Sequence, residues 1–269
     1  MIFFMAGTSD ARELAQRIQK RGYPLLVSVV TDNAARVLAD AGLETRHGRL
    51  DADRMTELLQ SSGAALLVDA SHPFAEEAHK TAMAAAHACG IPYIRYERAH
   101  QEFDQTDRIV CVDTYEQAAA LAAQKKGSVM LTTGSKTLHI FAERLIGDPD
   151  ITLVARMLPR ADNMEKCAQL GLEQKNIIAM QGPFSRELNS ALYRHYQTTL
   201  MITKESGGPG AVDEKVEAAV ALGIEVIVIG RPKLNYGVRF SVMEDLMEEI
   251  ERHYESGGST WNSAQSFNR

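Results

Sequence analysis

The sequence predicts an α/β fold of two Rossmann-like, doubly wound parallel-sheet domains. Short apolar runs alternate with helical runs along most of the chain, and almost every apolar run stops at a polar, Gly-rich or basic cluster. Strands separated by helices of this length pair in parallel through right-handed crossovers. Ligands of open parallel sheets bind outside the carboxyl ends of the strands. The pattern therefore predicts a ligand-binding α/β enzyme whose polar clusters gather at the carboxyl ends of the strands, around one or two clefts.

The first half of the chain supplies one predicted domain, residues 1–100. Its predicted strands are 2–6, 25–30, 43–47, 64–69 and 92–96, and its predicted helices are 9–21, 33–41, 51–61 and 74–89. The segment 97–107 is polar and lacks an apolar stripe, which indicates a domain boundary there.

The second half supplies a predicted domain over residues 105–254. Its predicted strands are 108–112, 128–132, 151–155, 176–180, 199–203 and 224–229, and its predicted helices are 114–124, 136–145, 161–170, 184–195, 211–222 and 241–253. The Gly/Ser/Asn-rich tail 255–269 cannot bury a core face, so we expect it to be disordered.

Composition excludes several classes of function. The 269 residues carry a net charge of −6, which favours neither nucleic acid nor an anionic membrane surface as a partner. No apolar run approaches the roughly 18 residues of a membrane span, and the first residues lack a signal peptide's basic region. Three scattered cysteines predict reduced thiols and a cytoplasmic location. The histidines show no metal-binding spacing, so no metal site is predicted.

The motif GTSDAR follows the first predicted strand and opens the first helix. Gly7 permits a tight turn, Thr8 or Ser9 can cap the helix, and the free N–H groups of a helix start suit a phosphate. The motif is not GxGxxG, so the usual dinucleotide fingerprint is absent. An ordinary capped turn is the alternative interpretation.

The motif DASHPFA places Ser71 and His72 at the end of another apolar strand. Ser71 is expected to cap the following helix. His72 is either a proton source at the site or a structural residue. A nucleophilic triad is not favoured, because residues this close in sequence seldom face one another and no G-x-S-x-G elbow is present.

Two further clusters lie in the second half. TTGSK puts Lys136 at a strand-to-helix turn without the spacing of an ATP-binding loop, so an anion contact or a solvated lysine is predicted. KESGGPG carries Lys204 and a glycine-rich loop with Gly207 and Gly208, and Lys215 follows on the next helix. Such a loop can approach a ligand closely or close over it, although a plain flexible turn is the alternative.

Basic residues recur at or just beyond the strand ends of this acidic protein. They are Arg12, Arg95, Arg98, Lys136, Arg156, Lys204, Lys215 and Arg231. Together they predict a basic rim for a ligand rich in carboxylates or phosphates.

The ordered set of motifs resembles the precorrin-6A reductase family of cobalamin biosynthesis. The resemblance runs from about residue 2 to about residue 250. It rests on GTSDAR, DASHPFA, RYER, TTGSK, ARMLP, QGPFS, TKESGGPG with the following lysine, and a late RP. The resemblance implies reduction of a ring double bond of precorrin-6A, or of its cobalt-bearing form, by a nicotinamide nucleotide. It also implies two Rossmann-like domains without the glycine fingerprint, with the coenzyme and the tetrapyrrole bound at an active site in the cleft between them.

The resemblance assigns roles to the motif residues. The coenzyme is expected at Gly7, Thr8, Ser9, Asp10, Arg12 and Ser71. The tetrapyrrole's carboxylates are expected at Arg98, Lys136, Arg156, Lys204, Gly207, Gly208 and Lys215. His72 is the candidate proton donor, with solvent as the alternative. RYER usually continues with proline in this family, whereas Ala99 follows here, so the path of the loop after Arg98 is open.

NADPH is favoured over NADH as coenzyme, with Arg36 as a possible contact for the 2′-phosphate. The expected partner is the tetrapyrrole, with a possible hand-off of the product to the next pathway enzyme. Two alternatives remain at this point. One is a two-domain protein that binds an anionic ligand without transforming it, and the other is a nucleotide-sugar transferase.

Overall fold

The computed structural model describes residues 1–99, 107–205 and 214–255, which divide into two units. The first unit contains Met1–Ala99 and the chain from Pro232 onward, and the second contains His100–Arg231. Within the described ranges, no helix is both long and apolar enough to cross a membrane.

Each unit is built on a parallel sheet whose strands alternate with helices. The strands are β1 (Ile2–Ala6), β2 (Leu25–Val29), β3 (Thr45–His47), β4 (Leu66–Ala70), β5 (Tyr93–Tyr96), β6 (Ile109–Val112), β7 (Gly127–Leu131), β8 (Ile151–Met157), β9 (Ile177–Ala179), β10 (Leu200–Lys204), β11 (Glu225–Ile229) and β12 (Val238–Phe240). The helices are α1 (Ser9–Lys20), α2 (Asp32–Asp40), α3 (Ala52–Ser61), α4 (Glu76–Cys89), α5 (Tyr115–Lys125), α6 (Leu138–Leu145), α7 (Ala161–Gln169), α8 (Arg186–His195), α9 (Glu214–Ala221) and α10 (Met243–Glu255).

The sheet of the first unit has the order β12-β5-β4-β1-β2-β3, with every pair parallel. Its central strands are apolar on both faces because helices cover both sides. One face packs against α1 and α10 through Leu14, Ile18, Leu246 and Ile250. The other face packs against α3 and α4 around Phe3.

The sheet of the second unit has the order β6-β11-β10-β7-β8-β9, again with every pair parallel. When this order is written from the other edge, β9-β8-β7-β10-β11-β6, it matches β3-β2-β1-β4-β5-β12 of the first unit. Five strands of each sheet therefore follow the order 3-2-1-4-5 of a Rossmann fold, and the predicted α/β class with two Rossmann-like parallel sheets is confirmed.

In each sheet, the strand in the sixth place is not the next strand along the chain after the strand in the fifth place. In the second unit it is β6, which precedes the other strands in sequence. In the first unit it is β12, which lies beyond the whole second unit and pairs with β5 from Val238↔Ile94 to Phe240↔Tyr96. The backbone N–H of Glu97 also donates to the carbonyl of Phe240 at 3.0 Å.

This return of the chain differs from the predicted second domain, 105–254. Residues from Pro232 onward, including β12 and α10, belong to the first unit. β12 itself was not predicted, because three residues between Gly237 and Ser241 make no apolar run. The predicted disordered tail lies outside the described residues, apart from Glu255, which ends α10.

Candidate functional site

The loop between β1 and α1 is two residues long and lies at the carboxyl end of the first unit's strands, where it is tightly packed. The Oγ1 of Thr8 accepts a hydrogen bond from the Ala11 N–H at 3.2 Å and caps α1, as the sequence predicted. A Cβ on Gly7 would lie 2.7 Å from the backbone nitrogen of His72. Only glycine fits there without a shift of the backbone. The loop and the turn that follows β4 are therefore in direct contact.

Arg98 joins this loop instead of standing apart from it. Its Nη2 donates to Asp10 Oδ1 at 2.7 Å and to Ser9 Oγ at 2.9 Å, and its Nε pairs with the same carboxylate. The hydrogen bonds to Asp10 raise the pKa of the Arg98 guanidinium. Arg12 lies exposed in the first turn of α1. The structure thus brings Arg98, predicted to contact substrate, together with residues predicted for the coenzyme.

A buried polar network lies directly behind this loop, around the carboxylate of Asp69. Asp69 Oδ1 accepts from the Ser71 N–H at 2.9 Å and the Ser71 hydroxyl at 2.6 Å. Oδ2 lies 2.7 Å from His79 Nδ1 and 2.8 Å from the Tyr93 hydroxyl. Burial alone would raise the pKa of Asp69, but the contacts with His79 and Arg95 hold it below its usual range.

Arg95 completes the network from β5. Its Nη1 donates to the Asp69 carbonyl at 2.8 Å and lies 3.3 Å from Asp69 Oδ1, and its Nη2 lies 3.3 Å from Glu97. Its side chain is fully buried. Burial and the adjacent Asp69 carboxylate also raise the pKa of Tyr93. Arg95 is therefore a partner of internal carboxylates and not part of an anion-binding rim, which corrects the expectation from sequence.

Ser71 does not cap a helix, which corrects a second expectation. α4 begins at Glu76, its N-cap position is Ala75, and that end has no side-chain cap. The Ser71 hydroxyl donates to Asp69 instead. His72 is half-buried, and its Nδ1 accepts a hydrogen bond from the Phe74 N–H at 3.2 Å. Both residues belong to the turn that contacts Gly7.

The second unit carries a cavity of about 640 Å³ at the carboxyl ends of its strands. It lies where β7, β8 and β9 end and where α8 and α9 begin. Its lining residues are Thr132, Gly134, Arg156, Met157, Leu158, Met180, Gly182, Pro183, Phe184, Asn189, Glu214 and Lys215. The loop from β7 to α6 spans residues 132–137 and contributes to this lining.

Arg156 is held in a fixed position in the cavity wall. Its Nη1 donates to Asn189 Oδ1 at 2.7 Å, and its guanidinium carbon lies 4.0 Å from the centre of the Phe184 ring. Stacking on an aromatic ring and a hydrogen bond to an amide restrict the planar group without neutralising its charge. Arg156 therefore presents a preoriented cation to the cavity, as an anion-binding residue requires.

Three lysines interact through their positive charges at the carboxyl end of the second unit's strands. Lys204 ends β10, Lys136 lies in the loop after β7, and Lys215 lies in the first turn of α9. Burial, together with the charges of Lys136 and Lys215, lowers the pKa of Lys204 to about 8. Clustered positive charge of this kind is stabilised by a polyanionic ligand.

The remaining basic-rim residue of the second unit has an internal partner. Arg231 forms a two-pronged pair with Glu205, with Nη2 3.0 Å from Oε1, and both side chains are largely buried. It is not part of the rim, although the sequence placed it there. The predicted Gly207 and Gly208 lie outside the described residues.

Sequence reasoning did not single out His79, Tyr93 or Asn189 as site residues. The sequence did indicate that a buried partner such as His79 was needed, because Asp69 and Arg95 place opposite charges in two neighbouring apolar strands. Such charges require buried partners. His79 sits on an alanine-rich helix, and only the fold brings it to Asp69.

Two Rossmann-like sheets, one with a close-packed strand–helix loop and one with a basic cavity, define a two-unit α/β ligand-binding protein. The family model described as precorrin-6x reductase CbiJ/CobK matches residues 1–251. The chain belongs to this family, and it is a reductase of a carbon–carbon double bond of the tetrapyrrole macrocycle in cobalamin biosynthesis.

Individual relatives cover nearly the whole chain. A cobalt-precorrin-6A reductase of Priestia megaterium is 56% identical over 250 residues, which cover 93% of this chain and 98% of that protein. A cobalt-precorrin-6A reductase of Salmonella typhimurium is 33% identical over 86% of this chain and 87% of its own length. The solved structure of CobK precorrin-6A reductase superposes with a TM-score of 0.76 at 24% identity, covering 94% of this chain and 96% of that one.

Proposed function

We propose that this protein reduces cobalt-precorrin-6A to its dihydro product with NADPH. The observation that carries the choice of the cobalt-bearing substrate is the 56% identity, over 93% of the chain, to a relative named as a cobalt-precorrin-6A reductase. Metal-free precorrin-6A is the competing substrate.

The β1–α1 loop of the first unit fits the pyrophosphate of a nicotinamide coenzyme. The first N–H groups of a helix lack partners within the helix, and the macrodipole favours an anion there. Pairing with Arg98 offsets the charge of the Asp10 carboxylate, and Arg12 adds a cation. The residues proposed to hold the coenzyme are Gly7, Thr8, Ser9, Asp10, Arg12 and Ser71.

NADPH is favoured by the chemistry at the end of β2. An acidic residue there binds the ribose hydroxyls of NADH in many Rossmann folds. Here Thr31 caps α2, and the first carboxylate, Asp32, lies 3.0 Å from His47 Nε2. Arg36 lies exposed on α2, where a 2′-phosphate could meet it. A coenzyme with a 2′-phosphate suits this end of the strand better than one without it.

The basic side chains of the second unit are proposed to bind the carboxylates of the tetrapyrrole. Arg156 offers a fixed guanidinium, and Lys136, Lys204 and Lys215 offer ammonium groups near the same cavity. Charge-assisted hydrogen bonds of this kind are shorter and stronger than neutral ones. Their role is to hold the macrocycle in one orientation, which lowers the entropic part of the barrier.

When bound, the coenzyme supplies a hydride to one carbon of the macrocycle. The neighbouring carbon then needs a proton, and His72 is the proposed donor. Because His72 Nδ1 accepts from the Phe74 N–H, the neutral ring carries its proton on Nε2. His72→Gln should lower kcat more than the affinity for either ligand, and an unchanged kcat would assign the proton to solvent.

The decisive experiment is an anaerobic assay with cobalt-precorrin-6A and, separately, precorrin-6A, following the loss of reduced nicotinamide absorbance with NADPH and with NADH. Turnover is expected with the cobalt-bearing substrate and NADPH. Lys204→Met should raise the substrate KM, whereas Lys175→Met, which removes an exposed lysine of the same unit, should not. If neither substrate consumes coenzyme in the presence of folded protein, the proposal is wrong.

Two further proposals concern the setting of the enzyme. The three cysteines are free thiols, which suits a cytoplasmic location. Transfer of the product directly to the next pathway enzyme is also proposed, and co-purification of the two enzymes in the presence of product tests it.

A further inference from the structure

His79 is a fully buried residue of α4 that the proposed reaction does not use. Its Nδ1 lies 2.7 Å from Asp69 Oδ2, and its Nε2 lies 3.2 Å from the carbonyl oxygen of Pro73. An ionised carboxylate and a carbonyl can only accept hydrogen bonds. Each ring nitrogen therefore faces an acceptor, one on β4 and one in the turn that follows it.

Three buried charged side chains surround His79. Asp69 on β4 and Glu97 after β5 are carboxylates, and the guanidinium of Arg95 on β5 contacts both. The ring of Tyr236 covers the cluster, edge-on to His79 at 5.4 Å and 5.5 Å from the Arg95 guanidinium carbon. A hydrogen-bonded set of opposite charges is one that a protein interior can retain.

The hydrogen bonds of this network end on the backbone of one turn. Asp69 accepts from the Ser71 N–H, and His79 donates to the Pro73 carbonyl. A backbone bond of 2.8 Å from Ala75 N–H to the His72 carbonyl closes the turn itself. The same turn begins where Ser71 and His72 meet Gly7. His79 thus contacts the turn against which the β1–α1 loop packs.

We propose that His79 is a positioning residue for coenzyme binding. It ties the 71–75 turn to α4, and the turn sets the shape of the β1–α1 loop through the contact at Gly7. This inference rests on the proposed function, in which that loop holds the coenzyme's pyrophosphate. It adds that affinity for the coenzyme depends on a side chain that does not touch it.

The test compares three substitutions that remove different bonds. Gln reaches about as far as Nε2 and keeps a donor for Pro73, Asn reaches about as far as Nδ1 and keeps a donor for Asp69 only, and Leu keeps neither. Each folded variant is titrated with NADPH by coenzyme fluorescence, and KM and kcat are measured for both ligands. Thermal unfolding is measured in parallel.

His79→Asn and His79→Leu are expected to weaken NADPH binding by roughly ten- to a hundredfold, the size of other effects transmitted through supporting residues. His79→Gln, which loses only the bond to Asp69, should weaken NADPH binding by a smaller factor. The KM for the tetrapyrrole and the kcat at saturating NADPH should hardly change. A purely structural role would instead lower the folded fraction and kcat together, with the KM for NADPH unchanged in all three, and that result would overturn the proposal.

Two controls keep the outcomes separate. Arg239→Gln removes a contact with Glu97 from the exposed side of the network and should leave the Kd of NADPH unchanged. If the His79 variants do not fold, Tyr93→Phe removes one bond to Asp69 and should weaken NADPH binding by a smaller factor; no change there overturns the inference. If wild-type protein binds neither coenzyme, the proposed function fails first.

Discussion

The two units share one strand order but differ in what they bury at equivalent positions. In the first unit, Phe4 lies three residues before the loop glycine Gly7 and pairs with Val68. In the second unit, Leu131 lies three residues before the loop glycine Gly134 and pairs with Ile202. The next residue on each partner strand is then Asp69 in the first unit and Thr203 in the second.

The first unit therefore places a carboxylate with several hydrogen bonds where the second places a threonine. Thr203 is also fully buried, and its hydroxyl has no hydrogen-bond partner among the described residues. The strand-to-helix loops also differ in length. Two residues separate β1 from α1, whereas six separate β7 from α6. The carboxyl end of the first unit's strands is close-packed at Gly7, and that of the second unit is open enough to form a cavity.

The largest expected effect comes from removing the Asp69 carboxylate, which lies at the centre of the buried polar network of the first unit. Asp69→Ala leaves Arg95 and His79 buried without their partner, which should cost about 3–5 kcal/mol of unfolding free energy. Thr203→Val removes a hydroxyl that has no partner and should cost less than about 1 kcal/mol. Urea denaturation of both variants tests the contrast, and equal costs would contradict it.

The next effect concerns the lysines near the cavity of the second unit. Lys204→Met should raise the substrate KM by roughly ten- to a hundredfold, the value of a hydrogen bond to a charged group. Because the Lys204 pKa is lowered to about 8, the wild-type KM should rise as the pH passes about 8. Lys204→Arg keeps the charge and should abolish that rise. A KM profile unaffected by this substitution would remove Lys204 from the substrate site.

The same group has an effect on stability with a defined sign. The Lys204 pKa is about 8 in the folded chain and 10.5 ordinarily, so the unfolded chain holds more protons between these values. The contribution of Lys204 to stability therefore increases as the pH rises through this window. Unfolding free energies of wild type and Lys204→Met across that range should converge at the upper end, where the wild-type side chain is neutral.

The two loop glycines should respond to alanine for different reasons. Gly7→Ala forces a Cβ against the His72 backbone at 2.7 Å, and overpacking of this kind costs roughly 1–3 kcal/mol. Gly134 has open space but a φ of +79°, so alanine there should cost only about 1 kcal/mol. Only Gly7→Ala should weaken NADPH binding. Thermal unfolding and coenzyme titration measure both effects, and a tight NADPH complex of Gly7→Ala would refute the assigned loop.

The smallest effect compares the residues that precede α1 and α6. Thr8 caps α1, so Thr8→Ala should cost about 1 kcal/mol. Thr137 precedes α6 without a capping bond, and its buried hydroxyl has no partner among the described residues. Thr137→Val should therefore be neutral or slightly stabilising. A loss of stability in Thr137→Val would show that its hydroxyl has a partner.

Much of this fold could be predicted from the sequence, because apolar runs and helical runs alternate with clear turns between them. The positions of Gly7, Thr8 and Arg156 at strand ends followed from the same alternation. β12 could not be predicted, since its partner strand lies more than a hundred residues away and none of its three residues is fully buried. The buried roles of His79, Arg95 and Arg231 were equally hidden, because a charge at a strand end looks the same whether it meets solvent or an internal carboxylate.

The return of the chain to its first sheet has a consequence for synthesis on the ribosome. β5 emerges early, but its neighbour β12 is translated only after every strand of the second unit. Until then the first sheet has five strands, and the edge of β5 that β12 will cover offers unpaired backbone groups to other chains. Tyr236, which covers the Asp69 network, arrives with the same late segment. Every strand of the second sheet is therefore synthesised before the last strand of the first.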